Sequence, residues 1–197
     1  MTLGTRLASL IQLTLQDPKQ AARVLLAERV PLKARSAGLL LMAILSALLA
    51  SIQVGAAQDQ LDPLSAFMLA SPVRAAVFQW GFLALSVLLI HRVGRAFGGR
   101  GNFADALLIV VWLQLVMLGF QVLQFIVSPL LPGLGGTIAL ISFVIYIWLM
   151  TIFIAELHGF ASRGLVLLGM VLTALAAGFV IGLLMILLLG PGAFLNV

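Results

Sequence analysis

Long apolar runs separated by short polar or glycine- and proline-bearing stretches dominate this chain from about residue 36 onward. Five runs, at residues 36–57, 73–93, 103–127, 137–155 and 164–189, approach or exceed the roughly 20 residues a helix needs to cross about 30 Å of hydrocarbon. Ahead of them the pattern changes. Leu3, Leu7, Leu10, Ile11 and Leu15 recur at helical spacing with Thr5, Arg6, Ser9 and Gln12 between them, which predicts an amphipathic helix lying on the membrane. Asp17-Pro18 then predicts a break and a fresh helix start, Asp17 as the cap and Pro18 in the first turn, where a missing N–H costs nothing. The expected fold class is an all-α integral membrane protein, a bundle of five transmembrane helices preceded by amphipathic N-terminal helices. Residues 1–35 form its basic cytoplasmic segment and residues 36–197 its membrane domain.

The polar breaks carry helix signals of their own. Asp59, Asp62 and Pro63 mark the first loop, and Ser71-Pro72 offers a cap and a proline for the second span. Asn102 is placed to cap the third span, with Asp105 three residues on. Pro129, Pro132, Gly133, Gly135 and Gly136 predict a short uncharged turn and hence an antiparallel hairpin of the third and fourth spans. Glu156 to Arg163 is the last polar break, and Gly190-Pro191-Gly192 closes the fifth span.

Composition narrows the class further. Hydrophobic residues make up 63% of the 197 and charged residues 9%, far from the balance of a water-soluble domain. With no cysteine, disulfides, thiolate chemistry and Cys-based metal sites are excluded. The net charge of +5 does not point to nucleic acid, because the cations sit at helix ends without interleaved aromatics. Anionic lipid headgroups are the better partner, with Lys19, Arg23, Arg92, Arg95 and Arg100 as candidate contacts. The charges also orient the chain, since cytoplasmic loops accumulate Lys and Arg. Arg6, Lys19, Arg23, Arg29, Lys33, Arg35, Arg92, Arg95, Arg100 and Arg163 fall on one side of a five-span arrangement and Arg74 alone on the other. A four-span arrangement would move Arg92 to Arg100, or Arg163, across. The expected topology therefore has the N-terminus cytoplasmic and retained, and the C-terminus periplasmic, in a bacterial inner membrane.

Small residues every fourth position mark helix contacts in lipid. Ala43, Ala47 and Ser51 form one such ladder and Ala174, Gly178 and Gly182 another, read first as packing within the bundle and second as a self-association seam. Gln114, Gln121 and Gln124 share one side of the third span. Their amides either bond to partners such as Ser142, Tyr146, Gln53 or Gln79, or line a polar path for a solute. Glu156 and His158 are the sole acid–histidine neighbours, but a spacing of two points them to different sides of a helix. No nucleophile, base and orienter come together around them, so neither a catalytic nor a metal or cofactor site is expected. Gly98-Gly99-Arg100-Gly101-Asn102-Phe103 lacks the pattern of a phosphate loop and reads as the turn between two spans.

These residues resemble the Yip family, the Ypt/Rab-interacting multispanning membrane proteins, in its bacterial branch. The likeness rests on the basic helical lead, the five spans and Gly99-Arg100-Gly101-Asn102-Phe103, which matches a G-x-G-x-F signature before the third span. It extends to Tyr146 and Trp148 in an aromatic fourth span, and to the turn Leu157-His158-Gly159-Phe160-Ala161-Ser162-Arg163. Around Trp112 the sequence reads V-V-W-L-Q-L, without the proline or tyrosine often found there in the family. The resemblance implies a non-enzymatic membrane protein; the eukaryotic members bind small GTPases and each other. For this chain it implies an inner-membrane scaffold or adaptor that works through lipid and other membrane proteins or through self-association. The alternative is a small transporter, or transporter subunit, built on the Gln114 face.

Overall fold

A computed structural model describes residues 3–54, Phe67 and residues 71–189. Its seven described helices are α1 (Leu3–Gln16), α2 (Pro18–Ala27), α3 (Leu32–Val54), α4 (Pro72–Ala96), α5 (Phe103–Leu130), α6 (Pro132–His158) and α7 (Arg163–Leu189). The last five are long and apolar enough to span a membrane, so the chain is an all-α multi-pass membrane protein. The loop acids Asp59 and Asp62 with Pro63, and the closing Gly190-Pro191-Gly192, lie outside the described residues.

Two helix boundaries differ from the sequence expectation. α3 starts at Leu32 rather than 36, because the Pro31 carbonyl accepts from the N–H groups of Ala34 and Arg35 and so opens the helix early. Lys33 and Arg35 thereby sit in its first turn. The proline- and glycine-rich turn expected at 129–136 shrinks to Leu131. Pro129 lies within the last turn of α5, Pro132 occupies the start of α6, and Gly133, Gly135 and Gly136 are helical. In lipid a backbone gains nothing by leaving the helix, so these residues interrupt it less than they would in water. Gly135 has a packing reason as well, since a Cβ there would stand 2.5 Å from Ser128 Oγ.

α5 is the central helix, with α2, α3, α4 and α6 all packed on it. Its buried residues run from Ala106 to Val116 and stop there, in the half nearer Phe103. They meet Leu149 to Leu157 of α6, Leu83 and Val87 of α4, and Leu39 and Ala43 of α3. The core therefore sits at the end of the bundle that carries the Arg92–Arg100 loop and Arg163, hereafter the basic end. α2 closes this end, its fully buried Ala21 and Ala22 allowing a close approach to α5 and α6. α1 packs on α2. α7 leans chiefly on α6, and most of its length faces outward.

Candidate functional site at the basic end

Two of the sequence signatures meet here and are each other's partners. α4 ends in a glycine-closed turn in which Gly98 takes φ +83°, the Gly98 N–H donates to Arg95 O, and the Gly99 N–H donates to Gly94 O. α6 ends in the same way at Gly159, with φ +73° and the Phe160 N–H donating to Ala155 O. A residue with a Cβ is disfavoured at both positions. The turn of α4 thus delivers Gly99 and Gly101 onto the last residue of α6, His158, which is 2% exposed.

His158 is bonded at every polar atom it offers to that loop. Its Nδ1 accepts from the Gly101 N–H at 3.2 Å, and its backbone carbonyl accepts from the Arg100 N–H at 3.2 Å. Because Nδ1 is an acceptor, the ring hydrogen sits on Nε2, which donates to Ile90 O at 3.1 Å. Phe160 stacks on the ring with centroids 5.4 Å apart. Glycines are required around it: a Cβ on Gly94 or Gly99 would overlap the imidazole, and one on Gly101 would stand 2.6 Å from Leu157 Cγ and 2.8 Å from His158 Cε1. Both ring nitrogens being engaged by backbone, His158 offers no lone pair to a metal and no base to a substrate. It is a tie between α4, α5 and α6. The rest of the L-H-G-F-A-S-R turn serves the same junction, with Ser162 Oγ accepting from the Leu165 N–H to cap α7.

Glu156 faces the other way. Its carboxylate takes Arg23 Nε at 2.8 Å and Lys19 Nζ at 3.6 Å, pinning α2 to the end of α6. Sequence reasoning offered Lys19 and Arg23 to lipid; the structure instead turns both cations toward Glu156, although their side chains stay 45% and 65% exposed. A second pair joins α3 to α5, Arg35 Nη1 to Asp105 Oδ1 at 2.8 Å, with Arg35 Nε donating to Val30 O. Asp105 is itself held by Asn102, whose Oδ1 caps the Asp105 N–H at 2.8 Å, so the expected cap forms and also aims the carboxylate. Arg6 pairs with Glu28 across α1 and α2.

α1 is fixed by a contact that sequence reasoning missed. Thr14, fully buried, donates to Leu10 O and accepts from Trp112 Nε1 at 3.0 Å. α1 is therefore joined to α5, and Leu10, Ile11 and Leu13 pack against the core while Leu7 and Leu15 remain exposed. The available signal was Thr14 itself, a hydroxyl at helical spacing from Leu7, Leu10 and Ile11 on an otherwise apolar face.

Six cations of the basic end, Arg29, Lys33, Arg92, Arg95, Arg100 and Arg163, are exposed and have no carboxylate partner among the described residues. They include three of the five residues assigned to headgroups from sequence.

Away from this end, Gln114, Gln121 and Gln124 do lie together, on the wall of a cavity of about 300 Å³ between α4, α5 and α6. Gln114 is buried and its Nε2 donates to Ser46 Oγ at 2.8 Å, a partner on α3 that was not among those expected from the sequence. Gln53 reaches the Gln121 backbone carbonyl at 3.3 Å. Ser142 is spent on Ile138 O of its own helix. Ala43 and Ala47 are buried, and Ser51 beside them is half-buried and bonds Ala47 O. The α7 ladder lies otherwise: Ala174 and Gly178 are exposed, and neither Gly178 nor Gly182 has a neighbour within 4 Å of an added Cβ. It makes no packing seam with the described residues of the bundle, because α7 presents a different face to α6.

No curated protein and no solved structure matches the chain. A model of the Yip1 domain matches residues 13–193, from within α1 to beyond α7, and so takes in the histidine tie, its glycine cage and the α2 dock. With that match over nearly its whole length, the chain belongs to the Yip1-domain family of membrane proteins.

Proposed function

We propose that this protein is a non-enzymatic adaptor of a bacterial inner membrane, with its basic end on the cytoplasmic side and the C-terminus periplasmic. The observation that carries the reading is the set of six exposed cations at one end of the bundle that have no carboxylate partner among the described residues, where Glu28, Asp105 and Glu156 are taken up by internal pairs. Each such cation near an anionic leaflet contributes about 1 kcal/mol, which favours this face lying against headgroups and acidic partner surfaces. Engagement of both His158 nitrogens and of the Glu156 carboxylate in structural bonds supports a role without bond-making chemistry.

The partner is another membrane protein or a second copy of this chain. Affinity purification of the full chain from native membranes in mild detergent tests this. A membrane protein, or the chain itself, is expected in stoichiometric amount, and replacing Arg92, Arg95 and Arg100 together by Gln is expected to reduce its recovery several-fold. Recovery of the wild type with nothing in stoichiometric amount, or solute uptake by proteoliposomes holding only this chain, overturns the adaptor.

A further inference from the structure

The cavity beside Gln121 has a construction that helix packing does not explain. α4 and α6 meet at the basic end, where His158 bonds Ile90 O and lies on Gly94; over the opposite half they are separated by the cavity, with α5 as its floor. Gln79 of α4 lies seven residues from Pro72 and Gln124 of α5 six residues from Leu130, roughly 10 Å in from the far ends of their helices. Gln114 lies deeper, roughly 24 Å from that end of α5. The Gln79 and Gln124 amides have no hydrogen-bond partner among the described residues, and the Gln121 amide oxygen is buried without one. Unpaired amides are costly at membrane depth, where bulk water is absent. Phe82 of α4 and Phe143 of α6, each 62% exposed, line the same cavity and give it apolar lips facing the bilayer.

We propose that this cavity binds an uncharged lipid alcohol of the diacylglycerol class, entering from the bilayer between α4 and α6. Amides supply both donors and acceptors, which suits a hydroxyl and neighbouring esters. No Lys, Arg, Asp or Glu among the described residues lines the cavity, so a phosphate drawn to that depth would lack a counter-charge there, whereas a small neutral head would not need one. Space for about ten waters accepts the glycerol end of such a lipid and leaves its chains among the lipid-facing side chains.

Native mass spectrometry of the full chain in micelles tests this, with equimolar 1,2-dioleoylglycerol, dioleoylphosphatidic acid and dioleoylphosphatidylcholine. Dioleoylglycerol is expected to be retained at least about fivefold over either phospholipid, and Gln79→Leu with Gln124→Leu to lower its retention about tenfold. Ala139→Phe, which narrows the cavity and leaves every amide in place, is expected to do the same. Thermal stability is expected to hold or rise in the glutamine variants, since they remove unpaired polar groups, so a folding loss is not confused with a binding loss. Equal retention in wild type and variants, equal retention of phosphatidic acid, or no retained lipid at all overturns the proposal, the last leaving water as the occupant.

Discussion

A single imidazole at position 158 lies against three glycines. At Gly94 the ring alone crowds an added Cβ, so tolerance to substitution there is conditional on it, whereas a Cβ on Gly99 would also stand 2.7 Å from Gly94 O and one on Gly101 2.6 Å from Leu157 Cγ. Gly94→Ala is expected to destabilise the bundle by about 2 kcal/mol through overpacking. His158→Ala is expected to cost about 2 kcal/mol or more, because the buried Gly101 N–H loses its acceptor. In the double variant the alanine at 94 no longer meets a ring, so the two losses fall short of additive by at least about 1 kcal/mol. Unfolding in mixed micelles measures all three, and strict additivity contradicts the cage. The sequence carried both halves of this site as motifs, but not their partnership. Residues 90–101 and 158 are brought together only by helix packing, which no local spacing encodes. The carboxylates show the converse. Asn102 as a cap for Asp105 was legible because capping is local, while the Arg35–Asp105 and Arg23–Glu156 pairs link helices 70 and 133 residues apart and were not.

Among elements, the contrast is between α1, which is held by one buried polar contact, and α7, which is held by little. α1 reads as amphipathic from its leucines, and its docking side is the one marked by Thr14. Trp112→Phe keeps the aromatic packing and removes the donor to Thr14. Hydrogen exchange in α1 is expected to rise about fivefold in this variant, matching a hydrogen bond of about 1 kcal/mol, and Thr14→Val is expected to add little more once the donor is gone. If α1 exchanges equally in wild type and Trp112→Phe, the bond does not hold the helix. For α7 the expectation inverts that of the small-residue pattern. Gly178→Leu is expected to leave the thermal stability of the monomer within about 0.5 kcal/mol of wild type, because the position faces open space. A large loss in monomeric protein would place a neighbour there. The same small-x-x-x-small pattern marks a buried seam on α3 and an open one on α7. Periodicity identifies a face but not what covers it.

At the scale of the whole molecule, length and apolar content determined nearly everything that was legible: five spans, their order, and the concentration of cations at one end. The packing was not legible, in particular that α5 is central and that the core occupies only the half of the bundle near its basic end. Hydropathy counts apolar residues equally whether they face lipid or protein, so it cannot distinguish Val116 from Val122. Five crossings would put the two ends of the chain on opposite sides of the membrane, as the proposed orientation requires. Reporters fused at Met1 and at Val197 are expected to read cytoplasmic and periplasmic respectively, and a cytoplasmic signal from Val197 is incompatible with five crossings.

The histidine tie also imposes an order on synthesis. While α3, α4 and α5 leave the ribosome and enter the bilayer, the cage of Gly94, Gly99 and Gly101 has nothing to enclose, and Lys19 and Arg23 have no Glu156 to meet. One stretch of a few residues at the end of α6 supplies the partner for both. α7 is translated only afterwards and adds no bond to the tie among the described residues, so every residue of the links that join α2, α4, α5 and α6 has been synthesised once the chain reaches Phe160.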